Sequence, residues 1–168
     1  GMDGPSAKIE ADALDTYLTN HVSNGMHSVA PECVAITQST EFGTIYSVDE
    51  IQAIGSVCQK HDMRLFMDGA RFANACAFLD VSPDKAAGPA DALSFGFVKN
   101  GGMGAEAMIL FDTEKADMIR FRRKRAGHLQ SKGRFLAAQI LAMLDGDLWL
   151  QNARAANAAA AIVAEGAG

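Results

Sequence analysis

Residues 92–112, ALSFGFVKNGGMGAEAMILFD, hold two apolar runs joined by a short lysine- and glycine-bearing link. The first, ALSFGFV (92–98), offers almost nothing to water, which predicts a strand buried on both faces. The second, AEAMILFD (105–112), follows so closely that a parallel crossover of about a dozen residues cannot fit between them. It must therefore return antiparallel to its predecessor. Lys99 stands where the first run gives way to glycines.

Upstream of this pair, strands and helices alternate. EADALDTYLTNHV (10–22) carries Ala13, Leu14, Tyr17, Leu18 and Val22 at helical spacing, and CVAIT (33–37) is a short β-branched run. SVDEIQAIGSVCQKHD (47–62) opens with Ser47 three residues before Glu50, a capping-box spacing, and continues with Ile51, Ile54, Val57 and Cys58 on one face. RLFMDG (64–69) reads as a strand and RFANACAFLD (71–80) as a short helix. Such alternation is the pattern of a parallel sheet. The expected fold is α/β, a mixed and mostly parallel sheet with flanking helices. From Thr113 onward the chain reads as helical, through EKADMIRFRRKRAG, RFLAAQILAMLDG and DLWLQNARAANAAAAIVAEG, and no internal repeat is visible.

Composition narrows the function classes. The 168 residues are 49% hydrophobic and 21% charged, enough for one domain with a sizeable core. A net charge of −5 and a pI near 5.3 provide no field to gather nucleic acid or an anionic membrane. Cys33, Cys58 and Cys76 match no metal or disulfide spacing and fit a reducing cytoplasm. No apolar run reaches the roughly 18 residues of a membrane helix and no export signal is present, so the expected location is cytoplasmic. His21, His27, His61 and His128 have no metal spacing among them. Gly1 ahead of Met2 reads as a boundary residue, with residues 1–3 outside the domain, and the chain stops at AAIVAEGAG as if cut within a longer protein.

Ligands of such sheets collect beyond the carboxyl ends of the parallel strands. Asp68 ends one strand, Lys99 ends another, and Arg71 follows Asp68 in DGAR. Pyridoxal 5'-phosphate chemistry calls for these three groups together. The lysine condenses with the aldehyde, the carboxylate keeps the pyridine nitrogen protonated, and the guanidinium grips a substrate carboxylate with its planar fork. Each also has a plainer role. Asp68 would serve equally as the N-cap of the next helix, Lys99 as a snorkelling edge lysine, and Asn-Gly-Gly as a hairpin turn.

The segments MDGARFANA (67–75) and DALSFGFVKNGGMGAEAMILF (91–111) resemble those of the threonine aldolase family, pyridoxal-phosphate enzymes of the β-eliminating lyase group. TQSTEFGTIYSVDEI (37–51) is similar to the segment preceding them in the phenylserine and low-specificity aldolase branch. The resemblance implies the large domain of the fold type I, aspartate-aminotransferase-like architecture, with residues 147–168 leading toward a small domain beyond this chain. It makes Lys99 the Schiff-base lysine, Asp68 the partner of the pyridine nitrogen, and Arg71 a ligand of the substrate carboxylate or the cofactor's ring oxygen. It also implies an upstream phosphate-gripping loop and ring-stacking residue, and a downstream second arginine, none of them in these residues. Where many members carry a small hydroxyl residue before the lysine, this chain has Val98, and the turn after the basic helix reads GHLQSKG (127–133).

The activity so implied is cleavage of the Cα–Cβ bond of a β-hydroxy-α-amino acid such as threonine, allo-threonine or phenylserine, giving glycine and an aldehyde, with a fragment of this extent expected to be inactive. Two alternatives stay open: β-elimination on the same cofactor, and a non-catalytic dimerising remnant. The expected assembly is a homodimer or homotetramer. Thr40 and Glu41, past a strand end, would line the pocket or cap their loop. His128 would reach the site from beside the basic helix. RFRRKR (120–125) spreads its charge around the helix, as a solvated face or an anion site.

Overall fold

A computed structural model describes residues 1–2, 4–21 and 25–167 of the chain. Strands β1 (Cys33–Thr37), β2 (Arg64–Gly69) and β3 (Ala92–Gly96) run parallel, β4 (Glu106–Leu110) returns antiparallel to β3, and the sheet order is the chain order, β1-β2-β3-β4. Helix α1 (Ala11–Thr19) precedes the sheet, α2 (Val48–Lys60) crosses from β1 to β2, and α3 (Phe72–Leu79) with α4 (Pro83–Ala87) crosses from β2 to β3. Three helices follow β4: α5 (Ala116–Arg125), α6 (Arg134–Leu144) and α7 (Leu148–Ala167). No described helix is long and apolar enough to cross a membrane. Asp3 of the boundary segment, Val22 of the first expected helix and Gly168 lie outside the described residues.

Helix α2 begins as its spacing predicts. The Ser47 hydroxyl accepts from the Glu50 amide at 3.2 Å and the Glu50 carboxylate accepts from the Ser47 amide at 2.7 Å, which satisfies two amides of the first turn. Ile51, Ile54 and Cys58 then pack against the sheet, opposite Val34 and Ile36 of β1 and Leu65 and Met67 of β2. Phe72 and Cys76 of α3 and Leu93 and Phe95 of β3 complete the same core. Phe95 is its hub, with ring centroids 5.4 Å from Phe72, 4.4 Å from Phe97 and 5.4 Å from Trp149 of α7.

The opposite sheet face differs from expectation. Cys33 and Ala35 are exposed, and Phe66, Asp68, Ala92 and Ser94 are half-buried, so the described helices seal only one face of the apolar strands. Over the open face, Met118 and Arg122 of α5 bound a groove of about 550 Å³ with Cys33, Phe66 and Ala92, at the sheet end away from Asp68.

β3 also stops earlier than its apolarity suggests. Phe97 leaves the extended region (φ −108°, ψ −18°) and Val98–Asn100 form one 3-10 turn closed by Gly101 at φ +119°, a conformation that favours glycine. The Phe97 carbonyl accepts from the amides of Asn100 at 3.1 Å and Gly102 at 2.8 Å, which fixes the turn. Lys99 thus stands on a turn just beyond the sheet.

Gly96 lets that turn sit close to the β2–α3 connection. A Cβ there would come within 2.7 Å of Ala70 Cα and 2.9 Å of Ala70 O, backbone atoms that cannot swing aside. Overpacking of this kind costs about 1–3 kcal/mol. Gly96→Ala is expected to lower the urea midpoint accordingly, and an unchanged midpoint would mean the two segments separate without strain.

Candidate functional site

Asp68 lies in register between Thr37 of β1 and Ser94 of β3, on the open face and one residue short of the end of β2. Its Oδ1 accepts from the Ala70 amide at 3.0 Å, folding a turn right after the strand. It does not cap α3, whose cap position is Arg71 and carries no side-chain capping bond. Oδ2 has no hydrogen-bond partner among the described residues. Beside it the Ser94 hydroxyl accepts from the Gly69 amide at 3.3 Å.

Arg71 points its guanidinium at Glu41, with Nη1 to Oε1 and Nη2 to Oε2 both 3.2 Å, the two-pronged geometry that arginine offers a carboxylate. Arg71's hydrogen bonds, and after them its charge, hold the Glu41 carboxyl below the usual carboxylate range, and the charge of Lys99 adds to the effect. Lys99, Glu41 and Arg71 therefore share one electrostatic neighbourhood. The Lys99 side chain is exposed and makes no ion pair or hydrogen bond with the described residues.

The loop that presents Glu41 is stiffened from below. Gln38, fully buried, donates from Nε2 to Tyr46 O at 2.9 Å and accepts from Tyr46 N at 3.0 Å, standing in for a strand partner. Thr40, 3% exposed, has its hydroxyl 2.6 Å from that of Thr44, which donates onward to Ser6 O at 2.6 Å. Thr40 thus binds its own loop, and Glu41 alone of the pair turns to the site. His128 is exposed, and its backbone pairs with Arg123 through amide and carbonyl at 3.0 and 3.2 Å. No bond of His128 reaches Asp68, Arg71 or Lys99 among the described residues. α5, with no buried residue, has its Arg120 paired to Asp117 at 3.0 Å on the solvent side. Burial pushes the Cys58 thiol up to about 11 and the Cys76 thiol up to about 12, which disfavours the thiolate at both.

An exposed amine, a carboxylate with one oxygen unbonded among the described residues and a forked cation lie at the carboxyl end of the parallel strands, the three groups that the aldehyde, the ring nitrogen and a substrate carboxylate of pyridoxal-phosphate chemistry call for. Sequence reasoning passed over Gln38, Ser94 and Asn100. Asn100, 8% exposed next to Lys99, donates to Trp149 O at 2.8 Å, a contact across the chain that leaves no periodic mark.

The sequence model of the family described as Beta-eliminating lyase matches residues 1–167. Low specificity L-threonine aldolase of Pseudomonas aeruginosa is 45% identical over 142 residues, covering 83% of this chain and 41% of that protein. The protein of the same name from Pseudomonas sp. is 43% identical over 134 residues, covering 79% of this chain and 39% of the relative. The chain therefore spans about two fifths of these relatives. The solved structure of Leishmania major threonine aldolase superposes with a TM-score of 0.90 at 30% identity, covering 98% of this chain and 48% of that one.

Proposed function

The chain belongs to the beta-eliminating lyase family, and from that premise we propose that it is the central, lysine-bearing part of a pyridoxal-phosphate-dependent aldehyde-lyase. The whole protein would cleave the Cα–Cβ bond of a β-hydroxy-α-amino acid, threonine, allo-threonine or phenylserine, to glycine and an aldehyde. The observation that carries the reading is the exposed Lys99 on the turn after β3, beyond the same carboxyl edge of the parallel strands as Asp68 and the Arg71–Glu41 pair.

When bound, pyridoxal phosphate supplies the electron sink for the carbanion left at Cα. Lys99 would present the amine that holds the cofactor's aldehyde. Asp68, through the oxygen its turn leaves free, would hold a proton at the ring nitrogen. Arg71 orients the substrate carboxylate, which fixes the bond to be broken. For this the substrate must displace Glu41 from the Arg71 fork. The pair is largely exposed, so its contribution is small. Glu41→Gln in the complete enzyme is expected to lower KM about two- to fivefold with kcat little changed. Because the folded-state pKa of Glu41 is depressed, the latch is present above the ordinary glutamate value and is lost as pH falls through the lowered one. The KM difference between parent and variant should therefore close on acidification, and a constant ratio across pH would sink the idea.

Residues 1–168 would form part of the cofactor-binding large domain, with α7 leading toward a small domain. We take the assembly to be a homodimer or homotetramer, since Phe121, Phe135 and Leu141 are 72%, 63% and 67% exposed and large apolar surfaces favour association. The three free thiols suit the cytoplasm. The test is to supply the complete polypeptide with pyridoxal phosphate and each amino acid. Glycine with aldehyde supports the reading, ammonia with a keto acid replaces it by β-elimination, and no product in a protein without visible absorbance replaces it by a scaffold.

A further inference from the structure

Helix α7 touches both walls of the site through asparagines. Asn152 Nδ2 donates to Asn100 O at 2.9 Å, one residue from Lys99, while Asn100 Nδ2 donates back to the Trp149 carbonyl at 2.8 Å. Five residues on, Asn157 Nδ2 donates to Asn74 O at 3.0 Å and its Oδ1 accepts from Asn74 Nδ2 at 2.9 Å. Asn74 sits in the first turn of α3, its amide on the Arg71 carbonyl at 3.0 Å. Each clamp is reciprocal. Together they tie one helix to the turn that carries Lys99 and to the helix start that carries Arg71.

Two details argue that this is more than general packing. Asn100 is buried and its Oδ1 has no partner among the described residues, a cost that an apolar residue of similar size would avoid. A Cβ on Gly101 would lie 3.2 Å from Asn152 Nδ2, so the turn approaches α7 as closely as its backbone allows. With Asn100 held inward, its neighbour Lys99 remains exposed on the side of Glu41. Aromatic contact from Trp149 to Phe95 supplies adhesion without direction; the amide bonds set the orientation.

We propose that Asn152 and Asn157 are positioning residues, a brace that sets the Lys99 amine relative to Arg71. The assignment rests on Lys99 being the cofactor's lysine, and its test separates the two. Amide exchange is measured on Asn152→Ala, with Gln151→Ala as control, an exposed neighbour whose side chain bonds Gly146 O and no other of the described residues. Each chain is also treated with pyridoxal phosphate and borohydride for a fixed short time, and the label on Lys99 is quantified by peptide mapping. In Asn152→Ala the Gly102 amide, which closes the turn on Phe97 O, is expected to exchange roughly three- to tenfold faster, the scale of one lost hydrogen bond. β2 amides should keep their protection, and Lys99 labelling should fall by a similar factor. Asn152→Ser, which keeps a donor, should recover part of both, and Gln151→Ala should change neither. Asn157→Ala should loosen the Asn74 amide in the same local way. Unchanged Gly102 exchange, or an equal rise throughout β2 and the turn, overturns the brace. Absence of label on Lys99 in the parent chain overturns the cofactor reading instead, and the exchange pattern still decides the brace.

Discussion

Lys99→Ala is expected to leave the chain folded and to abolish borohydride-fixed pyridoxyl label at this position. Stability should hold because the side chain is exposed and bonded to none of the described residues, a setting where substitutions fall within about ±0.5 kcal/mol. Chemistry should fail because the amine proposed to hold the aldehyde covalently is gone. In the complete enzyme, loss of a covalent catalytic side chain should lower kcat by at least about a thousandfold. Thermal melting and peptide mapping of the reduced protein check the two halves separately. Label spread equally over Lys85, Lys115 and Lys99 in the parent would show that the position is an ordinary surface amine.

Asp68 should divide its contribution between fold and chemistry. Asp68→Ala removes both the turn bond to the Ala70 amide and the charge proposed to face the ring nitrogen, whereas Asp68→Asn keeps an oxygen for the turn. Loss of the turn should cost about 1 kcal/mol of stability in the alanine variant alone. Loss of the charge should cost both variants about 3–4 kcal/mol of barrier, some two to three decades in kcat, since a neutral pyridine is a poor electron sink. Urea unfolding alongside steady-state kinetics distinguishes the effects. Equal kcat in parent and Asp68→Asn would confine Asp68 to its turn.

The strands were readable because apolar, β-branched runs have few other uses, and α2 because Ser47 and Glu50 stand at capping distance. The antiparallel return of β4 followed from chain length alone. What the pattern could not convey was where apolarity stops meaning strand. Phe97 and Val98 continue the run of β3, yet Phe97 is buried under the turn by stacking on Phe95 and Val98 is 44% exposed. The five-residue α4 is too short to show a period, and its Pro83 and Gly88 look like loop punctuation. Asp68, Arg71 and Lys99 were legible as residue types at strand ends. Their partners were not, because Glu41 with Arg71 and Asn152 with Asn100 are joined by polar bonds between distant segments, and such pairs impose no spacing on the sequence. α7, alanine-rich, packs along α3 with Trp149 and Ala153 buried, a contact its composition does not announce.

Trp149 gives that packing an optical consequence. It is the one tryptophan of the chain, 4% exposed, with its ring 5.4 Å from that of Phe95 and its carbonyl bonded to Asn100. A pyridoxyl chromophore absorbs where indole emits, and only Asn100 separates the bonded backbone of this indole from Lys99. Intrinsic fluorescence of this protein is therefore a native probe of the lysine turn, with loading read as quenching by energy transfer and loosening of the turn as a red shift, and no dye need be attached.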